Sequence, residues 1–340
     1  MNPSPGALAA FGWSERVLAL FNDLDDPTLE PARIVRVERS LCVAACADAT
    51  EQRVRAFPLP AVGDWVALRD GAVHAILRRW SAISRADPSG PGEQVLAADV
   101  DVVLVAAPAD RLSPARVERE LAIAWESGAA PLVLLTKSDL ADPAAGDELA
   151  ERLAGADVLA VSATTGSGLE DLAERLRPGR TAALIGPSGA GKSSLVNALS
   201  GEERLATGEV RGGDRRGRHT TTSRQLVALG SGGVLIDTPG LRSIGLTAEV
   251  AVGHVFPDIE ELAATCRFGD CRHEREPGCA VVEAATTGTL EPGRLASFRK
   301  LERELAAEAR RHDPLARQAE RRIWKQRSAA ARLYDKRRPT

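Results

Sequence analysis

The sequence predicts a multidomain α/β protein: a small β-barrel, then a mostly parallel sheet, then a mostly helical domain. Three observations support this. Short β-type runs with turn residues between them fill residues 31–85, uninterrupted apolar runs alternate with helical segments from about residue 98 to 245, and three cysteines crowd between Cys266 and Cys279. A chain of 340 residues has the length of roughly two or three domains.

The first 30 residues form a separate N-terminal segment. Apolar side chains from Leu8 to Phe21 are spaced as one face of a helix, which we expect to be peripheral and to end near Asp25. No apolar run approaches the roughly 20 residues that span a bilayer, and the start lacks the basic and apolar stretches of a secretory leader. We therefore expect a cytoplasmic protein with no membrane partner.

Residues 31–90 are expected to form the barrel. Five short strands suggest the OB type, the common five-stranded barrel; the runs are 32–37, 41–45, 52–56, 63–68 and 73–77. Cys42 and Cys46 should be buried strand residues, not metal ligands. The arginines of this region fit either a basic face for RNA or an ordinary solvated surface; they are Arg33, Arg36, Arg39, Arg53, Arg55, Arg78, Arg79 and Arg85.

Residues 98–245 contain the strongest motif of the chain. The apolar run 181–185 leads into G-x-x-x-x-G-K-S and then into an amphipathic segment, a strand, loop and helix in order. Such a loop wraps backbone N–H groups around phosphates, sets Lys192 beside the β- and γ-phosphates and offers the Ser193 hydroxyl to Mg²⁺. We expect the nucleotide to be bound by Gly186, Pro187, Ser188, Gly189, Ala190, Gly191, Lys192, Ser193 and Ser194.

Two further strand ends predict that the base is guanine. Thr136, Lys137 and Asp139 follow one apolar run, and a carboxylate at Asp139 can accept hydrogen bonds from guanine N1–H and its 2-amino group, which adenine lacks. Ser162 and Ala163 follow the next run, where the Ala163 N–H can face guanine O6. Each motif is weak alone, but with the phosphate loop they favour GTP over ATP.

The γ-phosphate should be sensed by two segments that follow the loop. Asp237 begins D-x-x-G, where it can hold Mg²⁺ through water and the Gly240 N–H can contact the γ-phosphate; an ATPase more often has an Asp-Glu pair here. In the polar stretch 216–222, Thr221 is the first choice to complete the Mg²⁺ shell, with Thr220 and Thr222 as alternatives.

The order of these motifs is that of a circularly permuted P-loop GTPase domain. Guanine-binding elements normally follow the phosphate loop, whereas here they precede it. A permuted domain can still bring them together, because its termini can lie close at the surface. The segment after Gly240 then runs directly into the next domain, which should therefore respond to the nucleotide.

Residues 246–340 should form a zinc-binding, mostly helical domain. Cys266, Cys271, His273 and Cys279 supply three thiolates and one imidazole, a closed tetrahedral set typical of structural Zn²⁺. From Arg294 to the end the chain has 15 Lys and Arg against six Asp and Glu, although the whole chain has a net charge of −3. This basic tail fits either an RNA-backbone surface or a solvated helix.

These motifs together resemble the circularly permuted, ribosome small-subunit-dependent GTPase A (RsgA-like) family of bacteria. The likeness covers nearly the whole chain after residue 30. It rests on Val62–Val66, on GPSGAGKSSLVNAL from Gly186, on GRHTTT from Gly217, on DTPGL from Asp237 and on the cysteine cluster with its EPGCAV ending.

The resemblance implies an OB-fold, a permuted GTPase domain and a zinc domain. It also implies that the protein acts in late maturation of the 30S subunit, with hydrolysis of GTP to GDP stimulated by that subunit and with 16S rRNA as a partner. Release from the matured subunit would follow hydrolysis. An RNA-binding scaffold with a nucleotide-sensing but inactive site, and a P-loop ATPase, are the rival functions, and a monomer is the default oligomeric state.

Two positions depart from the usual GTPase pattern. Thr136 stands where asparagine is usual, which puts the contact at guanine N7 in doubt but leaves Asp139 intact. Leu241 stands where a water-orienting glutamine is common, so intrinsic turnover should be slow. The resemblance makes His219 the candidate to place the attacking water, and the expected catalytic residues are thus His219, Lys192 and Thr221.

Overall fold

The N-terminal segment forms two short helices in a computed structural model that describes residues 6–38, 41–86, 93–153, 156–177, 179–201, 224–237 and 249–312. A 3-10 helix covers Gly6–Phe11 and α1 covers Glu15–Asn22. Leu8 and Val17 are fully buried, and Trp13 packs edge-on against Trp65 of the barrel with ring centroids 5.4 Å apart. The expectation of one peripheral helix was wrong, because this segment supplies core side chains.

The five-stranded barrel is confirmed. β1 pairs antiparallel with β2 and β4, β2 with β3, and β4 with β5. A short parallel bridge between Arg55 and Ala72 closes it in the order β1-β2-β3-β5-β4. Cys42 and Cys46 are buried on β2, as expected. The strands are β1 (Glu30–Val37), β2 (Cys42–Cys46), β3 (Glu51–Val54), β4 (Trp65–Arg69) and β5 (Ala72–Ile76).

A hairpin that the sequence did not predict follows the barrel. β6 (Ala82–Ala86) pairs antiparallel with β7 (Glu93–Ala98). The turn-rich stretch 87–92 lies outside the described residues. The described flanks show that it connects two paired strands.

The mostly parallel sheet is also confirmed. Its strand order is β10-β9-β8-β11-β13-β12, with β12 alone antiparallel to its neighbour β13. Buried apolar clusters cover both faces, as the uninterrupted apolar runs require. The sequence did not predict β12. The strands are β8 (Val102–Pro108), β9 (Ala130–Thr136), β10 (Val158–Val161), β11 (Thr181–Ile185), β12 (Gln225–Ala228) and β13 (Val234–Asp237).

In the described part of the chain, four helices connect the strands of this sheet. They are α2 (Pro114–Glu126), α3 (Ala145–Arg152), α4 (Leu169–Arg175) and α5 (Lys192–Ser200). Each lies within a parallel crossover or directly after the phosphate loop, so all parallel strands end at the same edge of the sheet. That edge is where open α/β sheets place their ligands.

Strand β1 joins the barrel to the sheet, because Arg36 on β1 pairs with Gln225 on β12. Beside this junction Arg33 is fully buried over the Trp65 ring. Its guanidinium donates to Thr181 Oγ1 on β11 at 2.8 Å and to the Gly63 carbonyl at 3.1 Å. Arg33 therefore cannot belong to the basic surface in which the sequence analysis placed it.

Two buried carboxylates complete the junction. Asp64 makes a double hydrogen bond with Arg79, at 2.6 and 2.7 Å. Burial, with the neighbouring Asp64, raises the pKa of Asp99 to about 7, against the opposing effect of Arg33. Arg79 is thus occupied by an ion pair and is not an open RNA contact.

The C-terminal helices pack on α2. Arg294 of α9 is 3 % exposed, and it donates to Glu118 of α2 at 3.2 Å and to Asp258 at 2.7 Å. Trp125 of α2 stacks on the His254 ring, with centroids 5.0 Å apart. The helices are α6 (Glu249–Val255), α7 (Pro257–Ala263), α8 (Ala280–Thr287) and α9 (Pro292–His312).

Residues 313–340, the last part of the basic tail, lie outside the described residues. Within the described part of the chain, no helix combines the length and the apolar character that crossing a membrane requires.

Candidate functional site

The glycine-rich loop connects β11 to α5 at the carboxyl edge of the sheet. Gly186, Gly189 and Gly191 all have positive φ, at 141°, 74° and 83°, a region that favours glycine. A Cβ on Gly186 would lie 2.9 Å from the Ala106 carbonyl oxygen and Cβ on β8. The loop can therefore keep this path only with glycine at these points.

Lys192, the first residue of α5, curls back over the loop. Its Nζ donates to the carbonyl oxygens of Gly186 at 2.9 Å and Pro187 at 2.8 Å. The ammonium group thus lies at the concave loop where the sequence predicts phosphates. Ser193 and Ser194 follow on the first turn of α5 and are half-buried.

The motif after β9 is tied to the loop. Thr136 is buried, and its Oγ1 donates to the Ala190 carbonyl of the loop at 2.8 Å. Lys137 has a left-handed backbone, and its Nζ donates to Asp110 Oδ2 at 2.7 Å. The threonine that replaces the usual asparagine thus links this motif to the phosphate loop.

Asp139 is held by the motif after β10. Ser162 is fully buried, and its Oγ donates to Asp139 Oδ1 at 2.6 Å. Ser162 Oγ also accepts a hydrogen bond from the Thr165 N–H at 3.1 Å. This bond helps to fix the Ser162 hydroxyl in its direction towards the Asp139 carboxylate. Asp139 itself is exposed. The second carboxylate oxygen of Asp139 can accept hydrogen bonds from a ligand with two adjacent N–H groups. Ala163 directly follows Ser162 in the chain.

Asp237 ends β13, opposite Leu184 on β11 and therefore beside the loop. It is 5 % exposed. Burial raises its pKa, and the Lys192 cation opposes this shift. The structure thus brings Asp237, Asp139, Ser162 and the loop to one edge. Gly240, His219, Thr220, Thr221 and Thr222, the remaining expected site residues, lie outside the described residues.

The sequence analysis missed three polar residues near the loop. Arg111 Nη2 donates to the Ser188 carbonyl at 2.5 Å, and Asp110 beside it holds Lys137. Glu120 on α2 has a buried Oε2 with no hydrogen-bond partner among the described residues; burial raises its pKa to about 7, opposed by Arg116 and Lys192. Asp110 and Arg111 directly follow the apolar run of β8, so the strand-end rule applied to the first two motifs would have found them.

The cysteine cluster has the dimensions of a zinc site. The Cys266 and Cys279 sulfurs lie 3.9 Å apart, and His273 Nδ1 lies 3.6 and 3.5 Å from them. Tetrahedral Zn²⁺ with bonds of about 2.3 Å sets its sulfurs about 3.8 Å apart. All four ligand atoms, including that of Cys271, lie within 4.8 Å of one another.

The surroundings of the cluster suit a structural metal. Cys279 caps α8, its sulfur accepting the Val282 N–H at 3.4 Å. Burial lowers the pKa of His273, which keeps the imidazole neutral as a metal ligand must be. The four protein ligands leave no open position, so the cluster fits a structural zinc site.

Residues 76–247 match the family model described as RsgA GTPase. The chain belongs to this family. Two relatives, both named small ribosomal subunit biogenesis GTPase RsgA, come from Opitutus terrae and Streptomyces coelicolor. The first is 44% identical over 94% of this chain and 95% of the relative. The second is 46% identical over 95% of this chain and 93% of the relative.

Solved structures agree with this fold. The crystal structure of YjeQ from Thermotoga maritima matches with a TM-score of 0.61 and 25% identity, over 82% of this chain and 99% of that one. YloQ, described as a circularly permuted GTPase, matches with a TM-score of 0.57 and 23% identity, over 82% and 96%. The permuted fold and the GTPase class predicted from the sequence are confirmed.

The RsgA GTPase family implies Mg²⁺ with GTP. Mg²⁺ prefers oxygen ligands and keeps several waters. A buried carboxylate at Asp237 and a hydroxyl at Ser193, both next to the loop, are donors of that type. The described residues therefore fit the ion that the family requires.

Proposed function

We propose that this protein is a GTP hydrolase of small ribosomal subunit biogenesis. It acts in the cytoplasm as a monomer in late maturation of the 30S subunit, and hydrolysis releases it. This proposal rests on two side-chain hydrogen bonds that connect the base-binding motifs with each other and with the phosphate loop, which we call the frame. Thr136 donates to the Ala190 carbonyl, and Ser162 donates to the Asp139 carboxylate. Relatives 44% and 46% identical over nearly the whole chain are named for this role.

We assign a role to each described motif. The loop N–H groups and Lys192 bind the β- and γ-phosphates, while Ser193 and the water-bridged Asp237 hold Mg²⁺. Asp139 accepts guanine N1–H and the 2-amino group, and the Ala163 N–H faces O6. Ser162 fixes the Asp139 rotamer before the base arrives, which reduces the entropy lost on binding.

The two γ-phosphate segments are assigned from the sequence. Thr221 completes the Mg²⁺ shell, and the Gly240 N–H contacts the γ-phosphate. His219 places the attacking water, since Leu241 has no group that can orient it. A GTP-bound structure that describes residues 202–223 and 238–248 tests these roles.

The barrel offers a surface suited to 16S rRNA. After β3, the Phe57 side chain is fully exposed and Leu59 is 44% exposed. Arg53 and Arg55 precede them in the chain and are exposed as well. Exposed aromatic rings next to arginines suit RNA, because bases stack on the ring and the cations contact the backbone. The zinc domain supplies the second RNA contact through its basic helices.

Exchange of Asp139 for asparagine tests the base assignment. Guanine presents two donors, N1–H and the 2-amino group, whereas xanthine presents N1–H and a carbonyl oxygen. An amide has one donor and one acceptor and so matches xanthine. We expect Asp139→Asn to lower GTP affinity by at least about a hundredfold and to bind XTP more tightly than GTP.

Asp142→Asn is the matched control, because Asp142 lies three positions further on, is exposed and can keep its turn hydrogen bond to Ala144 as an amide. Both variants are titrated with GTP, XTP and ATP. Unchanged GTP affinity in Asp139→Asn would contradict the base assignment.

Turnover with purified 30S subunits tests the biological role. We expect GTP hydrolysis to be slow alone and strongly stimulated by the subunits, with little ATP hydrolysis in either case. Equal use of ATP would favour an ATPase. Absence of stimulated hydrolysis would favour an RNA-binding scaffold with a sensing site.

A further inference from the structure

One arginine outside the known motifs lies on the phosphate loop. Arg111 follows β8 in a short 3-10 helix, Ala109–Arg111, and its Nη2 donates to the Ser188 carbonyl at 2.5 Å. The guanidinium covers Gly189 so closely that a Cβ there would lie 2.4 Å from Nη2 and 3.3 Å from Cζ. Glycine at position 189 is therefore required for two reasons: the backbone turn of the loop and the close approach of the Arg111 guanidinium.

Arg111 and Lys192 occupy successive carbonyls of the same loop. Lys192 takes the carbonyls of Gly186 and Pro187, and Arg111 takes that of Ser188. Both cations thus bond to neutral acceptors beside a site for polyanions. A cation bonded to a phosphate oxygen gains a Coulomb attraction between full charges, which a neutral carbonyl does not offer. A bound triphosphate should therefore draw both cations from the carbonyls to its oxygens.

The Arg111 side chain is able to make this exchange. It is 51% exposed, and its nearest carboxylate, Asp110, lies 4.0 Å away and is bonded at 2.7 Å to Lys137. No buried packing has to break when the guanidinium turns. The loop is meanwhile fixed from another side, by the buried hydrogen bond from Thr136 to Ala190. Arg111 is thus not needed to keep the loop in place.

We propose that Arg111 is a catalytic residue that contacts the γ-phosphate of GTP, an arginine finger supplied by the chain itself. The proposal rests on the proposed function. In the reaction, a water oxygen forms a bond to the γ-phosphorus while the bond from that phosphorus to the β–γ bridging oxygen breaks. GDP leaves with the electron pair of that bond, and the water proton passes to the inorganic phosphate formed. Arg111 neutralises the charge that develops on the γ- and bridging oxygens.

This role complements that of His219. The histidine would orient the water, whereas a guanidinium stabilises charge, and these are separate requirements of phosphoryl transfer. Arginine suits the second because it stays protonated and its planar fork matches phosphate geometry. Arginine fingers contribute about 10³ to 10⁵ in kcat.

The experiment compares Arg111→Ala and Arg111→Lys with the full-length wild type. Single-turnover GTP hydrolysis is measured with and without 30S subunits, together with the affinities for GDP alone and for GDP with aluminium fluoride. Arg116→Ala is the control, because Arg116 lines the same wall of α2 and the loop, beside Arg111 and Pro187. Circular dichroism establishes that each variant is folded.

We expect Arg111→Ala to lower the hydrolysis rate by at least about a hundredfold, with GDP affinity within about threefold of wild type. The tightening of GDP binding by aluminium fluoride should disappear. Arg111→Lys should recover only part of the rate, and it carries the test if the alanine variant does not fold. Arg116→Ala should match wild type.

A hydrolysis rate within about threefold of wild type in both Arg111 variants would overturn the proposal. So would an equal loss of GDP and GTP affinity at unchanged rate, which indicates uniform binding. These outcomes differ from a failure of the proposed function, in which the wild type itself would not hydrolyse GTP.

Discussion

Replacement of Arg294 by methionine should detach the C-terminal helices from α2. Arg294 has two carboxylate partners, Glu118 and Asp258, and it also donates to the carbonyls of Val255 at 2.8 Å and Arg152 at 3.1 Å. Glu118 is fully buried, whereas the Asp258 side chain is 33% exposed. Without the Arg294 cation, the Glu118 carboxylate stays buried without its ion-pair partner, whereas the Asp258 carboxylate stays in contact with water.

The magnitude follows from the buried partner. Removing one member of a buried ion pair typically costs about 3–5 kcal/mol, because the other charge is left uncompensated. We expect Arg294→Met to lose stability in this range. The double variant Glu118→Leu with Arg294→Met removes both buried charges and should recover most of the loss, since apolar replacements of buried pairs are often neutral.

The loss should also depend on pH. Burial raises the pKa of Glu118, and Arg294 opposes that shift; without the arginine the pKa rises further. The folded state then holds a proton that the unfolded state releases above about pH 4.3, the ordinary glutamate value. The stability of Arg294→Met therefore falls as pH rises from about 4.3 towards the new folded pKa. The variant should be less impaired at pH 5 than at pH 8.

Urea unfolding followed by circular dichroism and tryptophan fluorescence measures these differences, and coincident curves justify the two-state analysis. Hydrogen exchange in α2 and α9 places the effect at their interface. A loss below about 1 kcal/mol at pH 8 would refute the reasoning, as would a double variant no more stable than the single one.

Three further perturbations have defined outcomes. Ser162→Ala frees the Asp139 side chain, and ordering such a side chain on binding costs about 0.5–1.5 kcal/mol, so GTP should bind about two- to tenfold more weakly in titrations; an unchanged affinity would contradict the role given to Ser162. Cys271→Ser should abolish stoichiometric zinc in metal analysis and expose α8 to protease, whereas full zinc content would exclude it as a ligand. Phe57→Ser should weaken 16S rRNA binding about tenfold without changing subunit-free GTP hydrolysis; unchanged RNA affinity would remove Phe57 from the interface.

Strand periodicity and motif spacing predict the sheet and the barrel well, because both depend on local patterns. The uninterrupted apolar runs at 131–135 and 181–185 identify buried parallel strands, and the glycine pattern of Gly186–Gly191 identifies the turn that positive φ values require. The sequence analysis missed β12, a four-residue strand whose middle two residues are buried.

Burial between distant parts of the chain could not be predicted. Arg33 looks like a surface residue in sequence, yet its partner Thr181 is 148 positions away. Leu8 and Val17 have a helical spacing, but only the barrel and its Trp65 show that they are core residues. The strand-end rule could have marked Arg111 as a candidate, but its contact with Ser188, 77 positions away, is visible only in the structure.

Thr136 shows a different limit. The sequence marks it as a departure from the usual asparagine, and that comparison concerns only the base. The structure shows a second role for this position. The Thr136 hydroxyl uses its single donor in a hydrogen bond to the Ala190 carbonyl. A motif position can thus lose one contact and keep another.

Strand β1 belongs to two binding units at once. It forms a wall of the barrel, and through Arg36 it pairs with Gln225 at the start of β12, directly after the stretch that contains His219 and Thr221. The barrel and the sheet that carries the nucleotide site thus share one strand, which can couple them. Linkage then requires reciprocity: if GTP strengthens binding at the barrel by some factor, occupation of the barrel strengthens GTP binding by the same factor. The ribosomal subunit would in this way set how long its own assembly factor keeps GTP.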